Sequence, residues 1–172
     1  MSRAVFLDRD GVINRNDIRD GRPVGPSRVE DFVILPGVRE AVEAFRAGGY
    51  LVIVATNQPS APPALVAAMH AKMRELVPLD DVKVCPHTDA ERCACRKPMP
   101  GLLLDAAKEH DIVLSESWMI GDRWRDIDAG KAAGCRTIFI DHGYAGEPRP
   151  QSLDYVAKSL LDAVPLVTKA QR

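Results

Sequence analysis

Near the start of the 172-residue chain, Phe6-Leu7-Asp8-Arg9-Asp10-Gly11 places two carboxylates one residue apart, directly after the apolar run Ala4 to Leu7, and follows them with glycine. A short apolar run ending in a turn signal reads as a buried strand, and ligands of open α/β sheets collect at the carboxyl ends of such strands. Alternate strand residues share a face, so Asp8 and Asp10 would look into one small pocket, and Gly11 lets the backbone turn close to a ligand. Thr56-Asn57 and Gly121-Asp122 close two other apolar runs, and Lys97 ends an irregular segment. These groups together suit phosphoryl transfer. A carboxylate facing a phosphate at 4 Å pays roughly 4 kcal/mol per charge pair at an effective dielectric of about 20, so positive charge is required. Mg²⁺ prefers oxygen ligands, for which Asp8, Asp10 and Asp122 are the candidates, while Lys97 adds a fixed cation and Thr56 a hydroxyl donor. Asp8 would attack phosphorus to form an aspartyl-phosphate. Asp10 would protonate the leaving oxygen and then activate the hydrolytic water, which calls for a raised pKa beside a second carboxylate.

A second constellation is Cys85-Pro86-His87, five residues, then Cys93-Ala94-Cys95. Four soft ligands in two close pairs suggest tetrahedral Zn²⁺ with no position left for a catalytic water, hence a structural site. It lies immediately before Arg96-Lys97, so tying down this loop would hold both cations near the phosphate. Cys135, flanked by Gly134 and a strand, reads as a small core residue.

The elements that must position these residues alternate. After Gly11, positions 12–35 carry Gly21, Pro23, Gly25 and Pro26 without a sustained apolar period and read as a long loop beside the Asp pair. Val38, Ala41, Val42 and Phe45 have helical spacing, closed by Gly48-Gly49. Tyr50 to Ala55 has the composition of a buried parallel strand. A second helix is expected through Leu65, Met69, Met73 and Leu76, with His70 on its surface. A short strand is expected at Val82 to Val84, and then a helix from Gly101 to His110 with Leu103, Leu104 and Ala107 on its apolar face. Strands at Ser117 to Ile120 and Thr137 to Ile140 flank a helix from Trp124 to Ala133; an edge strand at Tyr155 to Ala157 precedes a final helix from Ser159. Such alternation predicts an α/β fold with a doubly wound, mostly parallel sheet.

The length suits a single domain, 1–172, with the candidate zinc loop at 85–97. Lys and Arg total 23 against 24 Asp and Glu, a net charge of −1, which gives no bulk reason to expect nucleic acid or an anionic membrane as partner. No apolar run approaches the roughly 20 residues needed to span a bilayer, and Met1-Ser2-Arg3 leads straight into a strand-like segment, so a cytoplasmic location is expected.

Asp8-Arg9-Asp10-Gly11, Thr56-Asn57, Lys97-Pro98 and Gly121-Asp122, in this order, resemble the four motifs of the haloacid dehalogenase-like phosphatases. The resemblance covers most of the chain. It implies a Rossmann-like fold without a large cap domain, with Asp8 as nucleophile, Asp10 as general acid and base, Thr56 and Lys97 as phosphoryl stabilisers and Asp122 as a magnesium ligand. Asp126, one turn after Asp122, resembles a secondary acidic position. Cys-Pro-His with Cys-x-Cys-Arg-Lys-Pro is similar to the zinc-containing branch that acts on heptose 1,7-bisphosphate and on histidinol phosphate. The runs at 121–126 and 138–144 resemble the heptose enzymes more; the five-residue zinc spacer also suits the histidinol enzymes. The resemblance implies Arg96 and Arg123 as substrate-binding residues and a small phosphorylated sugar as substrate; Asn57 is expected to bind substrate beside them, and a monomer is expected. In one departure from the heptose pattern, Pro59 to Pro63 runs almost directly into helix where that family has a longer loop with Gly and Arg. A receiver-like phosphate-accepting module is the alternative from another class, against which Asp10 and the zinc loop speak.

Overall fold

The computed structural model describes residues 1–169; the last three positions of the expected 1–172 domain lie outside the described residues. The chain runs β1 (Arg3–Leu7), β2 (Asp17–Arg19), β3 (Arg22–Val24), α1 (Val38–Ala47), β4 (Tyr50–Asn57), α2 (Pro63–Leu76), β5 (Asp81–Cys85), α3 (Gly101–His110), β6 (Trp118–Gly121), α4 (Trp124–Ala133), β7 (Arg136–Ile140), β8 (Tyr155–Ala157) and α5 (Leu160–Lys169).

Six strands form one sheet in the order β5-β4-β1-β6-β7-β8, and every adjacent pair is parallel. The strand order reverses at β1: the chain first builds outward through β4 and β5, then returns to place β6 on the other side. The crevice at such a reversal, outside the carboxyl ends of the strands, is where open α/β sheets bind ligands. In β1 the two faces separate cleanly. Val5 and Leu7 join a core with Val52, Val54 and residues of α1, α2 and α5, while Ala4 and Phe6 join Ile53, Ala55 and residues of α3. The register Val5↔Val52 and Leu7↔Val54 aligns like with like, so a one-residue slip would send both apolar sets to the wrong layer.

Three expectations are corrected. Positions 12–35 are not a plain loop: they carry the antiparallel hairpin β2–β3, and Val12, Ile13 and Phe32 are buried in the core. The turn is Asp20-Gly21, both at positive φ (51° and 73°), the pairing that two-residue hairpins favour. The strands are three residues each and largely exposed, so their pattern is too short to read as alternation. In α3 the buried set is Leu102, Leu103 and Ala106, and Leu104 is exposed. In α2 the buried set is Val66, Met69, His70 and Met73, an i, i+3, i+4, i+7 stripe that contains the histidine, and Leu76 is exposed.

Candidate active site

Asp8 and Asp122 are the first residues past β1 and β6, and the Asp8 amide extends that pairing by donating to the Ile120 carbonyl at 3.0 Å. Neighbouring strands therefore deliver neighbouring carboxylates. The third comes from α4: Asp126 is the third residue of the helix, and its Oδ2 accepts the Arg123 amide at 3.0 Å, capping the helix start. Gly121 is required at this corner, because a Cβ there would lie 2.1 Å from the Asp126 Cβ. Carboxylate oxygens of Asp8, Asp122 and Asp126 all lie within 4.8 Å of one another, and all three residues are buried.

Lys97 is the cation among them. Its Nζ donates to Asp8 Oδ1 at 2.7 Å and Asp126 Oδ1 at 2.5 Å, and only 2% of its side chain is exposed. The two carboxylates hold the ammonium protonated against the cost of burial, well above the ordinary lysine range. One ammonium cannot balance three carboxylates. Burial, with Asp126 next in effect, pushes the Asp8 carboxyl up to about 6, and burial together with Asp8 pushes Asp122 well above the usual carboxylate range. Asp122 Oδ1 is buried and has no hydrogen-bond partner among the described residues. Unbalanced charge and an orphaned buried oxygen are what an oxygen-liganded divalent cation corrects, so the residues present fit Mg²⁺.

Asp10 stands apart from this trio. Its Oδ1 accepts from Arg9 and from Asn14 Nδ2 at 2.9 Å, and its Oδ2 accepts from Gln58 Nε2 at 2.8 Å and from Arg9 at 3.1 Å. The structure thus brings Asp8 and Asp122 together and adds Asp126, while the Asp10 carboxylate is turned toward a set of donors. Asp10 still lines the same cavity as Asp8, Lys97, Asp126 and Arg123, about 370 Å³ in volume, with an outer wall of Val24 to Ser27 from the hairpin and Pro59 to Pro62 ahead of α2. Arg9 itself is buried, and its Nη1 lies 3.2 Å from His70 Nε2. An arginine only donates, so His70 Nε2 accepts and the ring carries its proton on Nδ1.

Of the remaining expected residues, Thr56 is buried with its hydroxyl accepting from Gln58 Nε2 at 2.9 Å. Asn57 spends both ends of its amide on the Lys97 backbone, donating to the carbonyl and accepting from the N–H at 3.1 Å each, so the end of β4 holds Lys97 in place. Arg96 is bound to Asp89 Oδ1 at 2.8 Å and the His87 carbonyl at 3.0 Å, and Arg125 grips the same Asp89. Arg123 lines the cavity and is paired with Glu147.

Cys85, His87, Cys93 and Cys95 converge as one group. Their sulfurs are separated by 3.6 Å (Cys85–Cys93), 3.1 Å (Cys85–Cys95) and 3.4 Å (Cys93–Cys95), and His87 Nδ1 lies 3.5 and 3.3 Å from two of them. Zn–S bonds of about 2.3 Å in a tetrahedron give edges of roughly 3.8 Å, so the spacing fits one shared metal; disulfide sulfurs would sit about 2.05 Å apart. Burial and the two neighbouring thiols push Cys95 up to about 12, an environment that favours the thiolate only with a cation among them. The Arg96 amide donates to Cys93 Sγ at 3.3 Å, linking this group to the backbone that carries Lys97.

The HAD-hydrolase-like family model matches residues 94–163. The chain is 37% identical over 148 residues to the D-glycero-β-D-manno-heptose-1,7-bisphosphate 7-phosphatase of Neisseria meningitidis serogroup A, covering 80% of this chain and 76% of that protein. It belongs to the heptose-bisphosphate phosphatases of the HAD-like hydrolases. Another member of this phosphatase family, from Rhodopseudomonas palustris, is 39% identical over 148 residues, 76% of this chain and 79% of the relative. Among solved structures, the D,D-heptose 1,7-bisphosphate phosphatase of B. bronchiseptica, complexed with magnesium and phosphate, superimposes with a TM-score of 0.83 at 28% identity over 98% of this chain and 99% of its own.

Sequence reasoning gave too little weight to four residues of this phosphatase site. Asp126 had a signal, an acid one turn after Asp122. Gln58 follows the Thr-Asn pair directly. Asn16 and Tyr144, which reach Asp122 from the stem of the hairpin and from the loop after β7, had none, because only the folded chain brings positions 16, 122 and 144 together.

Proposed function

We propose that the protein is a magnesium-dependent phosphatase that removes the 7-phosphate of D-glycero-D-manno-heptose 1,7-bisphosphate through an aspartyl-phosphate on Asp8, acting as a cytoplasmic monomer that supplies heptose for surface polysaccharide. The observation that carries the chemistry is the meeting of Asp8, Asp122 and Asp126 around Lys97 at the strand-order reversal. Support for the substrate comes from relatives that are 37% and 39% identical to this chain over 148 aligned residues.

Asp8 attacks phosphorus, forming an O–P bond as the bond to the sugar oxygen breaks. Lys97 and the Thr56 hydroxyl hold the charge that gathers on the phosphoryl oxygens. Asp10 delivers a proton to the departing sugar oxygen, then takes one from the water that hydrolyses the acyl phosphate. Mg²⁺, held by Asp8, Asp122 and Asp126, supplies neutralisation of the carboxylates and phosphate when bound. Cys85, His87, Cys93 and Cys95 would hold Zn²⁺, which would fix the loop that presents Arg96 and Lys97. Arg96 and Arg123 orient the sugar.

A second reading, histidinol phosphate as substrate, is favoured by the outer cavity wall, where Val24, Pro26, Pro59, Ala61, Pro62 and Leu65 offer no charge to a second phosphate. Phosphate release with Mg²⁺ compares the two. A kcat/KM for the bisphosphate at least about tenfold higher is expected, equivalent to roughly 1.4 kcal/mol of transition-state discrimination; the reverse preference assigns the chain to histidinol phosphate.

A further inference from the structure

The loop after β7 contributes a side chain that the chemistry above does not use. Tyr144 Oη donates to Asp122 Oδ2 at 2.6 Å, and Asn16 Nδ2 donates to Tyr144 Oη at 2.9 Å while lying 3.4 Å from the same Asp122 oxygen. Gly11 closes the third side: at φ 83°, a Cβ on it would stand 2.0 Å from Asp122 Oδ2. One oxygen of this carboxylate is therefore fixed by a phenol, an amide and a glycine, and the other, Oδ1, is buried and without a partner among the described residues. The asymmetry has a consequence for ligation. With Oδ2 held by Tyr144 and Asn16, the plane of the carboxylate is set, and Oδ1 is left without a donor among the described residues and available to a cation.

We propose that Tyr144, held by Asn16, is a positioning residue that sets the ligating oxygen of Asp122. Partners that orient ligating side chains contribute about 10–100-fold to metal affinity. The same two residues join the hairpin to the metal group. Asn16 leads into β2, and the 142–147 loop is bound to the hairpin at Gly146, whose amide donates to the Gly21 carbonyl at 2.9 Å and whose carbonyl accepts from Arg22 at 3.1 Å. The wall of the substrate cavity and the orientation of Asp122 thus share one set of hydrogen bonds.

This assignment rests on the reading that Asp122 binds Mg²⁺. Titration calorimetry with Mg²⁺ on the wild type, Tyr144→Phe and Asn16→Ala tests both without turnover. Tyr144→Phe keeps the ring that packs on His142 and removes only the hydroxyl. Weakening of Mg²⁺ binding by about 10-fold or more in Tyr144→Phe, with a smaller loss in Asn16→Ala, is expected. Steady-state assays should show the same rise in the Mg²⁺ concentration for half-activation, with kcat restored at saturating Mg²⁺. Equal affinity in all three proteins overturns the role of Tyr144 and leaves the metal site standing; no binding to the wild type overturns the metal site and this assignment with it. A fall in kcat that saturating Mg²⁺ does not restore, at unchanged affinity, also overturns it.

Discussion

Asp8 meets two opposed demands. As the proposed nucleophile it would have to be ionised, yet burial and Asp126 push its carboxyl up to about 6, and Lys97 offsets only part of that. Positive charge brought by Mg²⁺ would favour the ionised form that attack requires. Asp8→Asn keeps size and the Lys97 contact but removes the attacking oxygen anion. Phosphatase activity should fall by on the order of 10³-fold or more, with the melting temperature within a few degrees of wild type because one of three mutually repelling carboxylates is gone. Turnover above a few per cent of wild type would exclude Asp8 as the nucleophile. Asp10 differs in kind. Its oxygens are met by Arg9, Asn14 and Gln58, a set of donors that holds the carboxylate in one orientation and accounts for the burial of Arg9 behind it.

At the scale of elements, the loop between β5 and α3 does what a strand would otherwise do: it delivers a side chain, Lys97, with a defined position. The backbone at Lys97 is held from two sides, by the Asn57 amide and by the Cys85, His87, Cys93 and Cys95 group that reaches it through Arg96. Cys93→Ser removes one thiolate from that group. Zinc content measured by elemental analysis should drop from about one per chain, and the melting temperature should fall by roughly 10 °C, as expected for losing several kcal/mol of metal-coupled folding energy. Activity should fall with it, since Lys97 loses one of its two anchors; unchanged zinc content would refute the site. These elements were legible in sequence to different degrees. Buried parallel strands are short, nearly all apolar and end in polar residues, so β1, β4 and β6 declare both themselves and the site residues at their ends, while β7 declares only itself. The hairpin did not, since three-residue exposed strands carry no alternation, although Asp20-Gly21 announced its turn. Helix faces were read one position off in α3 because Leu102, Leu103 and Leu104 are consecutive, and which of them is buried depends on the sheet beneath.

For the molecule as a whole, the strand order places the site, and the packing of α2 on the sheet adds one acid-sensitive group to the fold. His70 was expected at the surface because a lone histidine in an amphipathic helix usually faces water. Its burial follows from its place in the Val66, Met69, Met73 stripe, and from Arg9, which reaches it from the end of β1. Burial first, and the Arg9 guanidinium second, hold the imidazole pKa down to about 4 from its ordinary 6.5. The unfolded chain therefore takes up a proton at His70 that the folded chain refuses. The stabilising effect of the neutral ring is complete above pH 6.5 and is lost progressively as the pH falls to about 4, a change on the order of 3 kcal/mol. His70→Gln keeps an acceptor for Arg9 but has no proton to take up. Urea unfolding at pH 7, 5.5 and 4.5 should show wild-type stability dropping more steeply than that of the variant, the gap growing below pH 6.5. Parallel curves would show that the folded chain takes up the His70 proton as readily as the unfolded one, and that neither burial nor Arg9 keeps the ring neutral.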